Sequence, residues 1–208
     1  MTSKSDCGHH GNKHQKLRRC FAGLLIFFFI VLLVVLLVWA ILQPKDPRFV
    51  LQDATIYALN VSTPNILTVN IQVTITTRNP NDKIGIYYEK LDTYATYRGQ
   101  QITLAYLIPP TYQGHKEIIT WSPFLSGTAV PVAPYNAIAL NQDQSYGALT
   151  LIIKIDGRVK WKVGSFTSGR YHLNVKCVAP ITFGARSSGV VIGNAVKYQM
   201  ASTCSVSV

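Results

Sequence analysis

From residue 21 to residue 42 the chain runs FAGLLIFFFIVLLVVLLVWAIL, 22 residues without a charge. As a helix rising about 1.5 Å per residue this spans roughly 33 Å, enough for the hydrocarbon core of a bilayer. The run constrains everything else, because the segments on its two sides must occupy different compartments. A cleaved signal peptide has a shorter apolar stretch, about 7–15 residues, closing on a small-residue site. Here the run is longer and ends Trp39-Ala40-Ile41-Leu42-Gln43-Pro44, a poor cleavage site with an aromatic residue suited to the membrane interface. A retained anchor is the reading.

Before the run stand Lys4, Lys13, Lys16, Arg18 and Arg19 against a lone Asp6; just after it Lys45, Asp46, Arg48 and Asp53 nearly cancel. Positive flanks stay cytoplasmic, so a single-pass chain is expected with its N-terminus in the cytosol and its C-terminal bulk outside. The expected divisions are a disordered basic cytosolic tail over 1–20, the transmembrane helix over 21–42, a linker over 43–48 and one extracytoplasmic domain over 49–208. At 160 residues that domain is large enough for one core and too small for two. Beyond residue 20 the chain has 15 Lys/Arg against 8 Asp/Glu, +7 of its total +11. A basic exterior points to acidic partners such as anionic polysaccharide, lipid headgroups or acidic proteins. Nucleic acid is excluded, since it lies in the wrong compartment. Cys7 and Cys20 fall on the cytosolic side, and Cys177 and Cys204 outside, where disulfides persist. Asn60-Val61-Ser62 is the one Asn-x-Ser/Thr glycosylation site with a non-proline centre.

After the anchor the pattern is period two. Leu67, Val69, Ile71, Val73 and Ile75 alternate with Thr68, Asn70, Gln72, Thr74 and Thr76, a half-buried antiparallel strand. Leu149, Leu151, Ile153 and Ile155 repeat it, with Ile152 on the other face. Asp156-Gly157 then predicts a tight hairpin, because both positions of such a turn take positive φ. The return would run through Val159, Trp161 and Val163, with Arg158, Lys160 and Lys162 on the polar side. Tyr171, Leu173, Val175 and Cys177 make another strand, 198–208 a last one, and 49–59, 89–97 and 117–121 supply more. Pro109-Pro110 and the Pro/Gly-bearing stretch 122–134 read as breaks, and no amphipathic helix is expected after the anchor. Seven or eight short strands with turn signals predict an all-β fold, an antiparallel β-sandwich. Cys177 and Cys204 lie on the apolar parity of their strands. In this compartment a bridge, contributing about 3–4 kcal/mol, is favoured over two buried thiols.

No nucleophile elbow, phosphate-binding glycine loop or paired metal-ligand spacing occurs after the anchor, so no catalytic residue, metal or cofactor is expected. His115, beside Lys116 in a Gly-containing loop, reads as structural, and His172, on a polar parity, as a solvated imidazole. Cys7, His9, His10 and His14 are metal-binding types in a tail with no fold to fix them. Cys20 abuts the apolar run as a candidate for S-palmitoylation, with an ordinary membrane-edge thiol as the plainer reading. Arg158, Lys160 and Lys162 would project on one side about 6.8 Å apart. That is a solvated face in the plain reading and a stripe for an anionic partner in the sharper one. All eleven tyrosines follow the anchor; some are candidates for sugar stacking, although most are expected to pack.

Three segments carry a family resemblance. Asn79-Pro80-Asn81-Asp82-Lys83-Ile84-Gly85-Ile86-Tyr87-Tyr88-Glu89 resembles the first signature of the plant NHL proteins, the homologues of the non-race-specific disease resistance and harpin-induced proteins. Pro110-Thr111-Tyr112-Gln113-Gly114-His115-Lys116 resembles their second, and Arg158-Val159-Lys160-Trp161-Lys162-Val163-Gly164 their third. Thr111 departs from the pattern, standing where the family more usually has Phe. The resemblance covers nearly the whole chain, short tail and anchor included. It implies a late-embryogenesis-abundant group 2 domain, a fibronectin-III-like sandwich with no established enzymatic activity. It also implies a plasma-membrane protein, sometimes concentrated at plasmodesmata, linked to pathogen and stress responses. In physical terms Asn79-Pro80-Asn81 reads as a turn ending the strand 67–77. Tyr87 and Tyr88 must face opposite sides, one in the core and one on the surface. The expected function is a non-enzymatic interaction module, with lipid binding or membrane protection as the alternative. Expected partners are the bilayer and membrane or cell-wall components, acidic polysaccharide among them, with self-association open.

Overall fold

The computed structural model describes residues 11–41, 43–62, 64–182, 190–192 and 195–208. It forms two compact units, Met1–Gln43 and Pro44–Val208. The first holds α1 (Gly11–Ile41), in which Arg18–Leu37 is long and apolar enough to cross a membrane. The helix begins ten residues before the apolar run, so 11–20, expected within a disordered tail, are helical. Lys, Gln, Leu and Arg fill those turns, and such residues extend an existing helix at little cost. Cys7, His9 and His10 lie outside the described residues.

The second unit is the antiparallel sandwich. Its first elements are β1 (Arg48–Ser62), β2 (Ile66–Arg78), β3 (Gly85–Tyr97), β4 (Gln100–Gln101), β5 (Tyr106–Ile108), β6 (Thr111–Gln113), β7 (Ile118–Trp121) and β8 (Phe124–Pro131). Then follow α2 (Pro134–Tyr146), β9 (Ala148–Val163), β10 (Phe166–Thr167), β11 (Tyr171–Thr182), β12 (Val190–Ile192), β13 (Ala195–Thr203) and β14 (Ser205–Ser207). One sheet orders β12-β13-β1-β2-β7, with β8 also on β2. The other orders β14-β11-β9-β3-β4, with β5 and β6 also on β3 and β10 on β9. Alternate residues of the long strands meet between the sheets: Leu67, Val69, Ile71, Val73 and Ile75 from β2, and Leu149, Leu151, Ile153 and Ile155 from β9, are all buried. Burying a side chain of this size contributes about 1.5–3 kcal/mol, which is why period two dominates the sequence.

The hairpin expected at Asp156-Gly157 does not form: β9 runs straight through it. Leu151, Ile153, Ile155, Val159 and Trp161 keep one odd parity in the core, whereas a two-residue turn would have put Arg158 on the face of Ile155. Asp156 instead accepts hydrogen bonds across both neighbouring strands, from Tyr94 and from Asn174, each at 2.6 Å. Gly157 faces a bulge in β3, where the register shifts between Tyr88 and Lys90. A Cβ there would run into the Lys90 carbonyl oxygen and come within 2.6 Å of Leu91 Cδ2. Gly157→Ala should therefore destabilise the sandwich by about 2–3 kcal/mol in a urea titration. A change below about 0.5 kcal/mol would show the bulge to be soft.

Three further expectations need correcting. A helix, α2, follows the anchor after all, with Pro134 in its first turn and Gly147 at φ 79° closing it. Its period is masked because Ile138 and Tyr135 are exposed while Asn136 is buried beside Ala137 and Leu140. The stretch 122–134, read as a break, contains β8, which continues along β2 after β7 ends. The last strand is divided at Cys204, where the chain leaves β13 in one sheet for β14 in the other.

Candidate functional site

The segments of the three signatures, far apart in sequence, lie side by side in one sheet. In β3, Tyr87 pairs with Tyr112 of β6 on one side and with Lys160 of β9 on the other. Tyr88 pairs with Thr111 and Val159. Their side chains then divide between the two faces.

Inward lies a buried polar lock. Tyr88 is 1% exposed and packs edge-on against Trp121 and Phe49, with ring centroids 5.5 and 6.3 Å away. Its hydroxyl donates to Gln113 Oε1 at 2.8 Å and lies 3.2 Å from the Thr77 hydroxyl. Burial raises its pKa well above the usual tyrosine value, so it remains a donor. Gln113 Nε2 in turn donates to the carbonyls of Thr77 and Glu117. Fully buried Asn79 donates to the carbonyls of Ile84 and Gly114 and accepts from the backbone and side chain of Asn81. Asn81 holds both backbone groups of Lys45. The turn reading of Asn79-Pro80-Asn81 agrees with this geometry.

Outward lies an open groove of about 520 Å³, lined among others by Tyr87, Glu89, Pro110, Thr111, Tyr112 and Lys160. Tyr87 is the surface member of the tyrosine pair, its ring centroid 4.5 Å from that of Tyr112. Gly85 makes room for Tyr112: a Cβ would meet its ring carbons at 2.8 Å. The cationic stripe is less free than three solvated charges. Lys160 forms an ion pair with Glu89, which also meets Arg170 at 2.8 Å. Lys162 Nζ sits 5.6 and 5.4 Å from the ring centres of Tyr87 and Tyr112. Arg158 is exposed and has no ion pair among the described residues. Glu89 shares the face of Tyr87 and reaches Lys160 across the ladder at the bulge after Tyr88, a contact between strands that residue spacing did not reveal. The parity change between Ile86-Tyr88 and Leu91-Thr93-Ala95 was the sequence trace of the bulge.

The hydrogen bond from Lys160, and then Arg170, lowers the Glu89 pKa from its usual 4.5. A lowered folded pKa means that the stabilisation is present above 4.5 and is lost as pH falls through the folded value. Glu89→Gln should thus differ from wild type in stability at pH 6 and converge with it in acid. A difference independent of pH would show that the ion pair contributes nothing.

The remaining candidates stand apart from this groove or play no part in it. Cys177 and Cys204 are joined by a disulfide. Asn60 is exposed on β1 opposite Thr68. Cys20 is a free, exposed thiol on α1. His115 and His172 are both exposed, the latter opposite Arg158. Among the described residues no group of three His, Cys, Asp or Glu is placed to hold a metal.

Comparison with known proteins gives consistent matches. Residues 74–177 match the family described as late embryogenesis abundant protein. The chain is similar to NDR1/HIN1-like protein 1 of Arabidopsis thaliana, with 58% identity over 98% of this chain and 99% of the relative. It is also similar to NDR1/HIN1-like protein 12 of the same plant, at 56% identity over 100% of both. For NDR1/HIN1-like protein 26 of that plant the identity is 42% over 88% of each.

Proposed function

Given that the chain belongs to the NDR1/HIN1-like family of late embryogenesis abundant proteins, we propose that it is a single-pass plasma-membrane protein of plant defence and stress responses that acts by binding rather than by catalysis. The sandwich faces outward and the basic stretch 13–19 lies against the anionic inner leaflet. The observation that carries the reading is the convergence of three signature segments on one open groove of aromatic and charged side chains. A disulfide in the sandwich suits an oxidising compartment. In this orientation Asn60 is available for glycosylation and Cys20 for S-palmitoylation, and plasmodesmata are a site of enrichment.

The test is cross-linking in plant cells, purification of the tagged protein from plasma membrane and identification of its neighbours by mass spectrometry. Reproducible enrichment of receptors, channel-associated or wall-linked proteins is expected. Recovery of membrane lipid and bulk proteins alone would favour lipid binding or membrane protection. Confinement of the tagged protein to the endoplasmic reticulum or cytosol would sink the topology.

A further inference from the structure

Building on the reading of the sandwich as a binding module, we propose that the groove between Tyr87, Tyr112 and Lys160 holds an acidic oligosaccharide, a short chain of uronic acids. Sugar faces stack on the tyrosines, and the carboxylates meet Lys160, Lys162 and Arg170.

Four observations converge on this chemistry. The volume, about 520 Å³, lies in the range of small-ligand sites. The aromatic floor is built rather than incidental: Tyr112, 41% exposed, is seated over Gly85 and flanked by Tyr87. Such rings offer a flat apolar face beside a polar edge, matching the alternation of C–H faces and hydroxyls on a pyranose. The charge is complementary, since Lys160 and Arg170 both pair with Glu89 and Lys162 sits over the Tyr87 and Tyr112 rings. That carboxylate is itself informative. It already sits on Lys160 and Arg170, so the two cations are spaced to accept a carboxylate from a ligand. A proline-rich peptide also favours aromatic grooves, but it gains nothing from the surplus of positive charge.

The test uses the full chain in nanodiscs of neutral phosphatidylcholine and isothermal titration with three probes: a short oligogalacturonide, its methyl ester and a proline-rich peptide. The free acid should bind, and the ester about tenfold more weakly, as expected for loss of charge-assisted hydrogen bonds. Lys160→Gln and Gly85→Ala should each weaken binding about tenfold, the first by removing a cation and the second by displacing the Tyr112 ring. Glu89→Gln should tighten binding about threefold, because it releases Lys160 and Arg170 from their internal partner. Lys176→Gln removes the same charge elsewhere, on exposed β11 opposite Lys154, and should change affinity less than about twofold. An equal loss in Lys176→Gln would reduce the binding to diffuse charge attraction and overturn the proposal. So would no binding of the free acid, or preference for the peptide. The assay is blind to cellular orientation. Its failure would remove the sugar site and leave the anchored-module reading to the cross-linking experiment.

Discussion

Replacing Asn79 with Ala should lower the stability of the sandwich by about 3–5 kcal/mol, because it leaves several buried polar groups without partners. The side chain is fully buried and donates to the carbonyls of Ile84 and Gly114, at 2.7 and 2.9 Å. Its oxygen accepts from the Asn81 backbone N–H and side chain, both at 3.0 Å. Truncation orphans the Ile84 carbonyl and the Asn81 backbone N–H and leaves the Gly114 carbonyl with only the Glu117 N–H, and each buried orphan costs about 1–3 kcal/mol. Water reaching the edge of the turn would recover part of that, hence a total short of the full sum. The loss should spread, since Asn81 in turn holds the backbone of Lys45 at the entry to the domain. Urea titration followed by the fluorescence of Trp121 and Trp161 would read the change. Asn79→Asp should be at least as harmful, because it keeps the acceptor but sets a buried carboxylate against the carbonyls of Ile84 and Gly114. If Asn79→Ala shifts stability by less than about 1 kcal/mol, the turn is held by its backbone and the signature residue has another purpose.

This divided use of the signatures explains how much could be read before the structure. The burial of one sheet face imposes period two, so β2, β11 and most of β9 were legible, as were the core and surface roles of adjacent tyrosines. Tyr88 went inward and Tyr87 outward because a strand permits nothing else. Local turn chemistry was less dependable. Asp156-Gly157 has the composition of a hairpin, yet its glycine serves the close approach of a bulged neighbour 67 residues upstream at Lys90. That requirement is non-local and leaves no mark on the flanking residues except unbroken parity. The groove was hidden for the same reason. Lys160 and Lys162 were visible as a stripe, but their partners Glu89, Tyr87 and Tyr112 arrive from other strands. The helix α2 escaped because its buried side includes Asn136, held by Gln100 Oε1, while Tyr135 and Ile138 face solvent.

Cys177→Ser should cost the sandwich about 3–4 kcal/mol, the loop-closure contribution of a bridge spanning 27 residues. The position of the bridge makes the consequence specific. Cys177 is fully buried on β11 in one sheet, and Cys204 stands where the chain crosses from β13 in the other sheet to β14 beside β11. Cys204 N–H also bonds the Phe49 carbonyl at the start of β1. The disulfide thus pins the crossover that closes the C-terminal edge of both sheets. Without it the short β14, paired with β11 at only Asn174, Val175 and Lys176, has little to hold it. Hydrogen exchange should show early loss of protection in β14 and the end of β13, with β2 and β9 protected until global unfolding. Reduction of the wild type should reproduce the same pattern and the same drop in melting temperature. Melting that is identical under oxidising and reducing conditions would mean that packing of Cys177 and Cys204, rather than their covalent link, secures that edge.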